Sequence, residues 1–97
     1  MEYESLLTAI KNIETAILHS SFPVGTAVDK IISDQLKKIQ SATTDTAILD
    51  LHFSINHNWD IYSGKKASKG FRAGNILVKQ WILEDCEELK TYIQRYR

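Results

Sequence analysis

The stretch "LDLHFSINHNWDIY", residues 49–62, decides the fold, because it carries two periods at once. Leu49, Leu51, Phe53, Ile55, Trp59 and Ile61 alternate with polar neighbours, as in a half-buried strand. Twelve of the thirteen positions from 49 to 61 obey that alternation, His57 being the exception. Ile48, Leu51, Ile55, Trp59 and Tyr62 also recur three or four apart, as on one face of a helix. Local propensity at Ser54, Asn56, Asn58 and Asp60 opposes helix.

The flanks favour it. Thr44 or Asp45 suits a helix N-cap, and Gly64 suits the position just past a helix C-terminus. A strand of thirteen residues would have to turn at Asn56-His57-Asn58, and a lone two-stranded ribbon is only marginally stable. A helix over 45–63 matches the length of the other three segments and completes an all-α four-helix bundle, which is the expected fold. The alternative is an α+β arrangement, a helical hairpin followed by a β-hairpin from 47–62 and a C-terminal helix.

Outward from that stretch, the other segments read as helices. Over residues 2–19, Tyr3, Leu6, Ile10, Ile13 and Ile17 form an amphipathic seam, with Glu2 and Glu4 at the positive end of the helix dipole. Phe22-Pro23 ends it. Thr26-Ala-Val-Asp29 resembles a capping box, and Val28, Ile31, Ile32, Leu36 and Ile39 make the stripe of a second helix, with Asp34 and Lys38 as a surface pair. "SATTDT", 41–46, breaks that helix. From Asn75 to Tyr96, the positions Val78, Ile82, Cys86, Leu89, Ile93 and Tyr96 set a final helical stripe, with Lys90, Arg95 and Arg97 toward its negative end. The segment "SGKKASKGFRAG", 63–74, with three of the four glycines, reads as a flexible loop.

Ninety-seven residues at 43% apolar composition suit a single small globular domain, 1–97, with one core. Twelve basic and twelve acidic residues leave zero net charge, which weighs against a dedicated nucleic-acid domain. The longest apolar runs, Ile76-Leu77-Val78 and Trp81-Ile82-Leu83, fall far short of the roughly 20 residues of a membrane span. The start "MEYESLLTAIKN" lacks a basic n-region and apolar stretch, and the lone Cys86 permits no internal disulfide. A cytoplasmic protein that engages no membrane is expected.

Catalysis needs groups that converge, and the candidates do not. His52 and His57 stand about 140° apart on a helix and on opposite faces of a strand, so they form no metal pair. They read as surface histidines. Cys86 lies among Glu84, Asp85, Glu87 and Glu88, whose charge disfavours a thiolate, and its place in the apolar stripe makes it a core residue. Gly64-Lys65-Lys66 lacks both the first glycine and the Ser/Thr of a phosphate-binding loop. A helix-turn-helix fails because the third segment offers Asp45, Asp50 and Asp60 and no Lys or Arg. No enzyme, metal or cofactor is expected.

Charge segregation is the one positive signal. Residues 63–83 hold Lys65, Lys66, Lys69, Arg72 and Lys79 without an acid, and "EDCEE", 84–88, then reverses the sign within a turn. The expected function is therefore a non-enzymatic protein-binding module, taking a basic partner through Glu84, Asp85, Glu87 and Glu88 with Tyr92 as aromatic anchor. In size, neutrality and missing catalytic groups the chain resembles small bacterial inhibitor or immunity proteins, which implies a toxin or nuclease as partner. The alternative is RNA or DNA binding by the 63–74 loop through Lys65, Lys66, Lys69, Phe71 and Arg72.

Overall fold

The computed structural model describes residues 3–95, so the expectations placed on Glu2, Tyr96 and Arg97 lie outside the described residues. Four helices follow one another: α1 Tyr3–Leu18, α2 Thr26–Ala42, α3 Thr46–Ser63 and α4 Ile76–Arg95. Each packs on two neighbours around a square, α1 on α2, α2 on α3, α3 on α4 and α4 on α1, and the diagonal pairs do not meet among the described residues. Cross-links fix the directions. Asp45 meets Tyr92 and Ser54 meets Asp85; Asp29 meets Trp59 and Leu36 lies by His52; Glu14 meets Lys90 and Ser20 meets Lys79; Asn12 meets Gln35 and Ser5 lies by Ala42, so every neighbouring pair is antiparallel. This is an up-down four-helix bundle.

The stretch at 49–62 is helical from cap to cap. Asp45 Oδ1 accepts from the Ala47 and Ile48 N–H groups at 2.9 and 3.4 Å, satisfying donors a helix start leaves orphaned. Gly64 ends the helix in the left-handed conformation, φ 87°, with its N–H bonded to the Ile61 carbonyl. Ile48, Ile55, Trp59 and Tyr62 then face the core, each at most 3% exposed. Burying a side chain of this size contributes about 1.5–3 kcal/mol, enough for a few of them to override the weak propensities of Ser54, Asn56, Asn58 and Asp60. Ile61 is buried too and Leu51 is half-buried, because α3 packs against two helices and hides more than a single stripe.

Several local details depart from the sequence pattern. Phe53, one of the alternating apolar positions, stands 52% exposed. His52 is not a surface histidine: it is 4% exposed, on the side of α3 that meets α2. The α2 start is no capping box, since its N-cap is Gly25, which has no side chain to offer. Asp29 turns away instead to receive Trp59 Nε1–H at 2.8 Å and Lys65 Nζ. Asp34 likewise pairs with Lys30, one turn earlier than the expected Lys38.

Ile31, expected on the α2 stripe, is 46% exposed, whereas Ile32, Leu36 and Ile39 are buried as the stripe requires. In α4, Val78, Ile82, Cys86, Leu89 and Ile93 are all fully buried. Asn75 caps that helix, its Oδ1 accepting from the Leu77 N–H at 2.8 Å.

Candidate functional site

An open groove of about 760 Å³ runs along the outer side of the α3–α4 seam. One wall is the start of α3, with Ala47, Asp50 and Leu51; the other is α4 from its middle onward, with Glu84, Glu87, Glu88, Thr91, Tyr92 and Arg95. At 100° per residue, Glu84, Glu88, Thr91 and Arg95 lie within one narrow arc of α4, so a periodic sequence becomes a continuous edge. Two bonds fix the register of the walls. Tyr92 donates its hydroxyl to Asp45 Oδ2 at 2.7 Å, and Ser54 donates to Asp85 Oδ2 at 2.6 Å.

These contacts divide the expected acidic site. Glu84, Glu87, Glu88 and Tyr92 line the groove, whereas Asp85 is half-buried and turned toward Ser54. Glu87 is partly neutralised by Lys90 at 3.0 Å. Lys90, its side chain only 18% exposed, also reaches Glu14 at 2.9 Å, and the bonds to Glu14 and Glu87 hold its ammonium above the usual lysine range. The tyrosine lines the groove while its hydroxyl is bonded to Asp45. That bond, against an opposing contribution from burial and with help from the Ala47 and Ile48 N–H groups, keeps the Asp45 carboxyl below its ordinary range.

Asp50 is the acid that the sequence did not single out for the site. It joins Glu84 and Glu88 across the seam, and none of the three has an ion-pair partner among the described residues. Elsewhere the molecule pairs acids with Lys30, Lys65 and Lys90. The groove thus combines exposed, uncompensated carboxylates with short or apolar side chains from Ala47, Leu51 and Thr91. Among the described residues Arg95, at one end, is the only basic one lining it.

The basic loop is arranged differently. It is pinned rather than loose: Lys66 N–H bonds the Asp60 carbonyl, Gly74 N–H bonds the Tyr62 carbonyl at 2.8 Å, and the Phe71 ring meets Trp81 edge-on at 5.0 Å. Lys65 is paired with Asp29, and Lys66 contacts His57 Nδ1 at 3.2 Å. Burial alone would raise the Asp29 carboxyl. Hydrogen bonds from Lys65 and Trp59 together with the lysine charge outweigh it, so the net shift is downward. Phe71 is half-buried and packs against the core beside Trp81. Lys69 and Arg72 remain exposed and without an ion pair among the described residues.

The remaining reactive groups lie apart. His52 is buried and His57 exposed, so the two do not meet. Cys86 is fully enclosed; burial, with the charges of Glu14 and Asp85, pushes its thiol up to about 12. Among the described residues no three His, Cys, Asp or Glu side chains are grouped to hold a metal ion, and no helix is long and apolar enough to cross a membrane.

Comparison with models of known protein families, with curated protein sequences and with solved structures returned no match.

Proposed function

We propose that the protein is a non-enzymatic binding module of the cytoplasm whose α3–α4 groove receives a basic partner protein. The single observation that carries this reading is the groove itself. Asp50, Glu84 and Glu88 stand at its edges without ion-pair partners among the described residues, above a floor that includes Leu51 and the Tyr92 ring. Like-charged groups held one turn apart cost a free helix a few tenths of a kcal/mol. A cationic partner relieves that repulsion, and its approach is accelerated by the same charges. Leu51 and Tyr92 supply the apolar contact that charge alone lacks.

Neutralising a toxin or nuclease, in the manner of an inhibitor or immunity protein, is the specific form we favour. Such enzymes present cationic surfaces where they hold phosphates, and a rigid acidic groove mimics that substrate. The nucleic-acid alternative keeps Lys66, Lys69 and Arg72, but it loses Lys65 to Asp29 and Phe71 to Trp81.

The test is side-by-side capture from the source cell, with wild-type protein and Glu84→Lys/Glu88→Lys as baits. A basic protein retained by the first and lost from the second is the expected result. If the two baits retain the same proteins, the groove is not the binding surface.

A further inference from the structure

We infer that the acidic groove also docks a second copy of this chain, which enters it with the basic turn at the opposite end of α3 and α4. The inference rests on the reading of the groove as a docking surface and adds a particular occupant.

Both halves of the contact belong to the same molecule. The groove is built on the start of α3 and on α4 from its middle onward, whereas the 64–75 loop joins the other ends of those helices. Thirteen residues of α3 separate Asp50 from Ser63, and eight of α4 separate Glu84 from Ile76; at 1.5 Å per residue they span about 20 and about 12 Å. Among the described residues no ion pair joins the two charged surfaces within one copy, in a molecule 37 Å long. They are free to pair between copies.

The loop has the form of a preformed knob. Ser68 and Phe71 face each other as an isolated antiparallel bridge, and Gly70, at φ 94°, supplies the positive angle that a tight turn of this type needs at its third position. Lys69 therefore sits at the tip. Phe71 anchors the turn from below on Trp81, and Arg72 follows on the exposed side. Exposed Ile76 and Leu77 stand beside the knob, at the start of α4. Lys69 and Arg72 lack ion-pair partners among the described residues, as do Asp50, Glu84 and Glu88.

The chain as a whole carries zero net charge, so copies approach without mutual repulsion while their ends attract. A contact between unlike surfaces is head-to-tail, and it propagates into rings or chains rather than closing as a symmetric dimer. Exposed ion pairs contribute little each, so the association is weak and sensitive to salt. A basic partner protein competes for the same groove, and its arrival releases the copies from one another.

Sedimentation equilibrium of the full chain at about 1 mM tests this, since contacts of this strength are populated only at such concentrations. Wild-type protein is expected to exceed its monomer mass in low salt, with association at least about tenfold weaker near 0.5 M salt, where screening is nearly complete. Glu84→Gln/Glu88→Gln and Lys69→Gln/Arg72→Gln are each expected to sediment as monomers. Their equimolar mixture is expected to form a dimer and stop there, since only one intact groove and one intact knob can meet. Wild-type protein that stays monomeric in low salt, or a mixture that does not associate, overturns the inference. If that happens while capture still distinguishes the two baits, self-docking fails and the basic-partner reading stands.

Discussion

His52 gives the sharpest prediction about stability. The residue is 4% exposed and its side chain approaches the backbone of Leu36, while Nδ1 is buried with no hydrogen-bond partner. Burying an unsatisfied polar atom costs about 1–3 kcal/mol, and the Leu36 carbonyl lies within α2, where the helix supplies its own donor. His52→Leu, close in volume and without polar atoms, removes the orphaned nitrogen. The variant is expected to match or exceed wild-type stability, by up to about 1 kcal/mol, or about 4–8 °C in Tm for a domain of this size.

The same substitution has a pH signature. Burial, opposed only by the nearby Leu36 backbone, holds the imidazole below its ordinary value of 6.5, so the folded protein keeps it neutral. Stability is then full above the unfolded value and falls as pH drops below 6.5 toward the folded one. The slope reaches at most about 1.4 kcal/mol per pH unit. In His52→Leu that loss disappears, whereas changing exposed His57 to Leu leaves it in place. Urea unfolding followed by circular dichroism at pH 7.5, 6.5 and 5.5 reads both effects. A loss above about 2 kcal/mol at pH 7.5, or an unchanged slope in the variant, refutes the reasoning.

Two further outcomes follow from the buried and paired groups. With its thiol at about 12, Cys86 is expected to resist a disulfide reagent at pH 8 in the native state and to react at once when urea unfolds the chain; rapid native labelling contradicts its burial. A second loss of stability is expected at lower pH, because the Asp29 and Asp45 carboxyls are depressed in the folded protein. Their contribution is present above the ordinary value of 3.8 and lost as pH falls through the folded ones. Tyr92→Phe, which removes the main cause of the Asp45 shift, is expected to weaken that acid transition in an acid titration followed by circular dichroism.

The fold was legible because helix caps and core spacing agreed at 45–64 while alternation stood alone. Asp45 and Gly64 act at the two ends as their types suggest, and Ile48, Ile55, Trp59 and Tyr62 form the face that the spacing describes. The misleading alternation has a physical origin. A helix covered by both α2 and α4 buries a wider arc, so Ile61, off the helical stripe, is apolar and buried as well, and the pattern drifts toward that of a strand. His52 was misread for the same reason, since its side faces the second neighbour.

The candidate site was half legible. Glu84 and Glu88 share an edge by simple periodicity, but Asp50 joins them only through the register of α3 on α4, which depends on bonds between residues 31 and 47 positions apart. No local pattern encodes such a register. Asp85 sits amid the same acidic run and is nevertheless claimed by Ser54, and Lys65 is claimed by Asp29. A count of charges therefore overstates both surfaces, and only the tertiary pairings separate the committed groups from the uncommitted ones.

The central claim is that uncompensated acids on the α3–α4 groove hold a basic protein. Its most direct test is the dissociation constant of the captured partner for wild-type protein and for Glu84→Lys/Glu88→Lys, by isothermal titration in low salt. Reversing two charges against a cationic surface is expected to weaken binding by at least about a hundredfold, or about 2.7 kcal/mol, while circular dichroism stays unchanged. Equal dissociation constants for the two proteins contradict the claim.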